Sequence, residues 1–167
     1  MKRKLLQTIF IFSFLLTSCF AKEKLGFRSR DKMNLETANK IIQFISDKNA
    51  AGLKELFSEE VISNDINLEK DIERLLNFCD GRISNFEKIT MGMDTSIDGG
   101  KNSTEYKTEF RFIINETSYL LYYIYTPKNS YDTMKEGVKS IKIIKEIDDD
   151  KYFCYWQELK PGIFVPE

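Results

Sequence analysis

Hydrophobic residues recur with two different periods along the chain. From residue 34 to residue 79 they return every three or four positions, which is the period of an amphipathic helix. The spacing predicts a first helix that begins at an N-cap on Asn34 and a short second helix over 51–57. It also predicts a third helix that begins after Asn67 and ends at Asp80-Gly81.

Beyond residue 82 the period changes to two, which is typical of β-strands with one buried face. Aromatic and aliphatic side chains alternate with charged ones from Glu105 to Ile114, and Asp98-Gly99-Gly100-Lys101 has the composition of a tight turn. The pattern predicts four or five strands, over 83–93, 105–114, 119–126, 138–147 and, as the fifth, 152–158. Helices followed by a run of antiparallel strands predict an α+β domain.

The first 18 residues have the form of a signal peptide. Lys2, Arg3 and Lys4 precede an apolar stretch that is too short for a membrane span, which needs about 20 residues. Leu16-Thr17-Ser18-Cys19 then matches a lipobox, in which small residues admit the peptidase and the thiol accepts diacylglycerol. The alternatives are an ordinary secretory leader or an N-terminal membrane helix that happens to contain a cysteine.

We therefore expect a signal peptide over 1–18, a lipidated tether over 19–33 and a folded domain over 34–167. Two acyl chains on Cys19 suffice for stable attachment, whereas one chain holds only marginally. The expected partner of the N-terminus is the membrane, and the expected location is the extracytoplasmic face of a bacterial cell membrane.

Charge and cysteine content exclude several classes of function. All 26 acidic residues but only 22 of the 25 lysines and arginines lie after residue 18, so the predicted mature chain has a net charge of about −4. Such a charge argues against nucleic acid as a partner. The chain has no histidine, and Cys79 and Cys154 are not in a C-x-x-C pair, so we expect neither a metal nor a cofactor. These two cysteines could form a disulfide or remain buried thiols.

The order of elements resembles the nuclear-transport-factor-2-like (cystatin-like) fold, most clearly in the segment DKNAAGLKELFSEEV. Together with the lipobox, the segments YLLYYIYTP, EGVKSIKI and PGIF are similar to a family of small Gram-positive lipoproteins that carry domain of unknown function 5104. The resemblance covers roughly residues 34–166 and carries no catalytic motif. It implies a curved antiparallel sheet that wraps around the long helix to form a cone. In some proteins of this fold the cone holds an enzyme site, and others only bind a ligand or act as scaffolds.

If the cone is a pocket, its lining comes from aromatic side chains of the strands and of the segment after them. The candidates are Tyr106, Phe110, Tyr123, Tyr125 and Trp156. The competing interpretation is that an aromatic stripe at strand spacing is ordinary core. From the lipobox and these aromatics we expect a non-catalytic module that binds a small apolar ligand or an envelope protein.

Two alternatives remain open: a small isomerase- or hydrolase-like enzyme of the same fold, and a homodimeric envelope assembly protein. An enzyme would need a positioned acid or base, and the carboxylates nearest to predicted core elements are Asp65, Asp80 and Glu109. Asp65 is predicted in a loop, Asp80 at a helix end and Glu109 on the solvent face of a strand. These positions explain each carboxylate without a catalytic role, so no catalytic residue is assigned. The strand lysines at 139, 142 and 145 could contact anionic lipid or wall polymer, or could simply face solvent.

Overall fold

A computed structural model describes residues 31–166 of the 167-residue chain. The predicted leader, Cys19 and most of the predicted tether lie outside the described residues. The chain divides into two compact units, Met1–Glu36 and Thr37–Glu167. In the first unit the described residues, 31–36, are helical.

In the described part of the chain, four helices precede the first strand, one more than the sequence predicts. Helix α1 covers residues 31–46, so Asn34 lies inside the helix and the predicted N-cap there is wrong. The others are α2 (Ala50–Glu55), α3 (Glu59–Asn64) and α4 (Leu68–Phe78). The unpredicted α3 begins where the Ser58 hydroxyl accepts a hydrogen bond from the Val61 N–H. A serine followed by two glutamates is a sequence signal for such a start.

The sheet has five strands in sequence order: β1 (Ile83–Asp98), β2 (Lys101–Ile114), β3 (Thr117–Asn129), β4 (Gly137–Lys145) and β5 (Gly162–Phe164). The first four form an antiparallel meander, and β5 pairs in parallel with β4. The α+β class predicted from the sequence is therefore confirmed. Register shifts interrupt the β1–β2, β2–β3 and β3–β4 pairs, and such irregularities bend and twist a sheet.

One face of the sheet forms the main core with the helices. Phe110 and Phe112 of β2 alternate with half-buried charged residues, as their spacing predicted. They join helix residues such as Ile41, Leu53 and Leu75 in one continuous cluster of buried side chains. The hydrophobic effect of this face is therefore the principal force that holds the helices on the strands.

A backbone connection fixes the short helices to β4. The Val138 N–H donates to the Leu56 carbonyl at 2.8 Å, and the Ser58 N–H donates to the Val138 carbonyl at 2.9 Å. Gly137 has a φ of +123° here, and a Cβ on it would lie 2.8 Å from the Ser58 nitrogen. Only glycine can adopt this positive φ and leave room for the Ser58 backbone without strain.

The segment after β4 differs from the predicted fifth strand. Residues Asp149–Tyr152 form the short helix α5, and Trp156–Glu158 form a turn of 3-10 helix. Ile147, predicted to end the last long strand, lies beyond β4 and is 89% exposed. The three consecutive aspartates 148–150 favour the start of a helix over a strand, which accounts for the difference.

Residues 149–160 pack against the second face of β3 and β4, which we call the back face and which bears Tyr122, Lys142 and Ser140. The Ser140 hydroxyl donates to the Lys160 carbonyl at 2.8 Å, and the Trp156 ring meets the Tyr122 ring edge-on at 5.8 Å. The back face of these two strands is therefore covered by protein, although a sheet of this kind often leaves it in water.

Candidate binding groove

A cavity of about 1080 Å³ lies beside β4, and we call it the groove. Its lining comes from α3 and the loop after it, from strands β2, β3 and β4, and from the C-terminal segment. It includes Glu60, Val61, Asp65, Glu105, Thr126, Lys135, Lys139, Lys142, Tyr152, Cys154, Leu159, Ile163 and Phe164. Its volume lies at the upper end of the range usual for small-molecule sites. A second, smaller cavity of about 510 Å³ lies beside α4 and the C-terminal tail.

Lys142 is the buried cation of the groove, with only 4% of its surface exposed. Its ammonium group donates to the Tyr152 carbonyl oxygen and lies 3.3 Å from the Cys154 sulfur. It also stands 5.2 Å from the centre of the Tyr122 ring and 5.8 Å from that of Phe164. The interpretation of this lysine as solvent-facing is wrong, because the segment after β4 covers it. Lys139 is half-buried and Lys145 is exposed.

The remaining charges on the groove wall are largely matched by neighbours. Lys139 lies 3.8 Å from Glu105, and Lys135 lies 4.0 Å from Glu60. Asp65 uses one carboxylate oxygen to accept the Asn67 N–H at 3.0 Å. These contacts pair both lysines with carboxylates and give one Asp65 oxygen a backbone donor.

A second group of polar side chains lies on the back face but not in the groove lining. The Tyr122 hydroxyl donates to Asp149 Oδ1 at 2.9 Å, and Glu109 is the residue opposite Tyr122 across the β2–β3 pair. Burial, followed by the hydrogen bond to Asp149, raises the pKa of Tyr122 far above its usual value. Burial also raises the pKa of Glu109, against the lowering effect of its hydrogen bond with Tyr122. This arrangement keeps the tyrosine neutral and acting as a donor.

The five predicted lining residues lie elsewhere. Tyr106, Phe110 and Tyr123 are fully buried, whereas Tyr125 and Trp156 are partly exposed. Phe110 stacks on Phe86 with ring centres 4.5 Å apart. None of the five is among the residues that line the two cavities. Their assignment to a ligand pocket stays a prediction.

The three candidate carboxylates occupy three separate places. Asp65 follows α3 and lines the groove. Asp80 follows α4, is exposed and pairs with Lys48 at 3.1 Å. Glu109 is half-buried beside Tyr122 rather than in open solvent. The structure does not bring them together into one site.

Both described cysteines are free thiols. Cys79 ends α4 within the main core, and burial raises its thiol pKa to about 12. Such a thiol is unreactive at neutral pH because the thiolate is the nucleophile. Cys154 is half-buried and lines the groove.

Within residues 31–166, no group of three or more Cys, Asp or Glu side chains is placed to hold a metal ion. Over the same range, no helix is long and apolar enough to cross a membrane.

Comparison with known proteins finds one family model. It is described as a domain of unknown function, DUF5104, and it matches residues 40–146, more than half of the chain. The match covers α2 to β4 and ends before the C-terminal segment that covers Lys142. No curated protein matches the chain.

Proposed function

The chain belongs to the DUF5104 family, and we propose that it is an extracytoplasmic lipoprotein whose α+β domain binds a small molecule in the groove. The observation that carries the binding role is the groove itself, a cavity of about 1080 Å³ whose wall includes apolar and aromatic side chains and a buried ammonium group. Ligand sites of proteins combine these same features, an apolar lining and a few placed polar groups.

The lipoprotein part of the proposal rests on the N-terminal sequence. A basic start, a short apolar stretch and Leu16-Thr17-Ser18-Cys19 follow one another at the spacing of a lipoprotein leader. A lipid on Cys19 would hold the domain at the outer face of the cell membrane. The domain would then meet ligands of the envelope rather than of the cytoplasm.

We further propose that the domain is a member of the nuclear-transport-factor-2-like superfamily. Support comes from the order of elements, helices followed by a four-strand antiparallel meander, and from the register shifts that bend it. In the cone of that fold a ligand would enter from the open end. The binding proposal rests on the groove beside β4 and the C-terminal segment.

The proposal does not extend to catalysis. Tyr122, Asp149 and Glu109 form a tyrosine–carboxylate group on the back face, and none of them lines the groove. The carboxylates of Glu60 and Glu105, which do line it, are paired with lysines, and that of Asp65 accepts a backbone N–H. An isomerase or hydrolase would need such groups within hydrogen-bond reach of a substrate.

Native mass spectrometry of the full-length chain, extracted gently from its own cells, tests the binding role. We expect an additional mass that disappears on denaturation. Leu159 lines the groove, and the larger indole of Leu159→Trp should obstruct part of it and reduce the abundance of that mass. Ile147→Trp is the matched control, because Ile147 is 89% exposed and lies outside the groove.

Three results would count against this function. A bare monomer in the wild-type chain would shift the assignment to binding of an envelope protein. A bare dimer would favour the assembly role instead. An additional mass whose abundance Leu159→Trp leaves unchanged would contradict binding beside Leu159 in the groove.

A further inference from the structure

Lys142 is a buried cation without a carboxylate partner. Among residues 31–166, no carboxylate oxygen lies within 4.0 Å of its ammonium nitrogen, which has instead the Tyr152 carbonyl, the Cys154 sulfur and two aromatic rings. Removing an ammonium group from water is costly unless hydrogen bonds and an opposite charge compensate it. Here the hydrogen bonds are present and the opposite charge is not.

The ammonium group also retains capacity for another acceptor. A lysine has three N–H donors, and the two hydrogen bonds to Tyr152 and Cys154 occupy two of them. The side chain lines the groove, so an acceptor that enters the groove reaches it. The third donor and the uncompensated charge are both suited to an oxyanion.

The other basic side chains of the groove are less available. Lys139 pairs with Glu105 at 3.8 Å, and Lys135 lies 3.5 Å from Asp132 and 4.0 Å from Glu60. Lys160 is exposed, where water screens its charge. An anion in the groove would therefore be held most strongly at Lys142.

Part of the groove wall around this cation is apolar. Val61, Leu159, Ile163 and Phe164 line the same cavity, and the Phe164 and Tyr152 rings pack against each other at 5.8 Å. A ligand that satisfied only the charge would leave these walls in contact with water. A ligand with an apolar body would cover them and gain from their burial.

We propose that the groove takes an anionic amphiphile, a small molecule with an apolar body and a carboxylate or phosphate monoester head, and that Lys142 binds the head. This inference rests on the proposed binding function and specifies its ligand class. Both heads present the same chemistry to the lysine, an oxyanion that accepts a charge-assisted hydrogen bond.

Isothermal titration calorimetry of the full-length chain in nanodiscs of zwitterionic lipid tests the inference, with empty nanodiscs as the blank. The probes are octanoate, octyl phosphate and octanol, which share one alkyl chain. We expect at least one of the two anions to bind about tenfold or more tightly than octanol, the difference expected for one charge-assisted hydrogen bond. Whichever anion binds more tightly identifies the head as a carboxylate or a phosphate.

Lys142→Met should abolish this preference and leave octanol binding unchanged. Methionine keeps the length and apolar contacts of the side chain, and replacing a buried ion by an apolar group of similar volume is usually tolerated by the fold. Lys145→Met is the matched control, since Lys145 is an exposed lysine of the same strand outside the groove. It should bind all three probes like the wild type.

The outcomes distinguish a failure of the proposed ligand class from a failure of the proposed binding function. Equal binding of octanol and both anions by the wild-type chain would overturn the anionic head and leave the groove a binding site. An anion preference that Lys142→Met retains would overturn the role of Lys142. If no probe binds but native mass spectrometry shows a released ligand, the ligand class is wrong and the binding function stands. If no probe binds and native mass spectrometry detects no ligand, the ligand class and the binding function are both wrong.

Discussion

The Arg111 guanidinium holds the Glu146 carboxylate through two nitrogens. Its Nε lies 3.0 Å from Oε1 and 3.1 Å from Oε2, and its Nη2 lies 2.5 Å from Oε1. Its Nη1 reaches Glu87 of β1 at 2.9 Å. One side chain of β2 thus connects the edge strand β1 with the turn that follows β4, where the chain leaves the sheet to cover Lys142.

This pair predicts an acid-sensitive contribution to stability. The hydrogen bond from Arg111 lowers the pKa of Glu146 below its usual value of 4.5 in the folded chain. The contribution is therefore complete above about pH 4.5 and is lost as the pH falls through the lower folded-state pKa. Glu146→Gln should lower the melting temperature at pH 7 by only about 2 °C, because both partners are substantially exposed.

Thermal unfolding monitored by circular dichroism at pH 7 and at pH 3 checks this prediction. The difference between wild type and Glu146→Gln should shrink at pH 3. The control is Glu73→Gln, an exposed position on α4. A difference that is the same at both pH values would show that the carboxylate's charge does not matter.

Gly137→Ala should destabilise the domain by roughly 2 kcal/mol or more, the range of strained backbone positions. The added Cβ would lie 2.8 Å from the Ser58 nitrogen and 3.1 Å from the Leu56 carbonyl oxygen, at a φ of +123°. Gly92→Ala is the matched control, because its Cβ would meet nothing closer than 3.8 Å. Urea denaturation measures both, and equal losses would contradict a special role for Gly137.

Phe110→Ala should lower the free energy of unfolding by about 3–5 kcal/mol, the usual cost of a large core aromatic. Phe110 is 1% exposed and lies between Phe86 and Tyr123. Phe164→Ala, at a position 43% exposed in the groove, should cost far less. Chemical denaturation compares the two. If Phe110→Ala kept its stability but lost a bound ligand, Phe110 would be a pocket residue, as the sequence analysis suggested.

Cys19→Ala should leave the precursor unprocessed or release the protein from membranes, because the thiol that would carry the lipid is gone. Fractionation of cells followed by mass measurement of the N-terminus distinguishes these forms. Cys154→Ala is the control and should fractionate like the wild type. Unchanged processing and membrane attachment of Cys19→Ala would contradict the lipoprotein assignment.

The candidate site was much harder to predict than the elements that surround it. The sequence places Lys142 among three strand lysines, but the pattern along β4 does not show which segment covers the back face. The predicted aromatic lining relied on the same alternation, which marks a buried side chain equally well whether it meets a ligand or the core. Ser58 followed by Glu59 and Glu60 is the local sequence signal for α3, a helix that the hydrophobic period alone does not predict.

Local sequence determined what depends on neighbouring residues: the buried stripe of α4, the alternation of β2 and the glycine turn at Gly99-Gly100. Each follows from backbone conformation and from the period of hydrophobic positions. Tertiary structure alone decided that Gly162–Phe164 would pair in parallel with β4 and that Lys142 would be enclosed. Three residues carry too little pattern to specify a strand partner, and the burial of a side chain depends on chain segments distant in sequence.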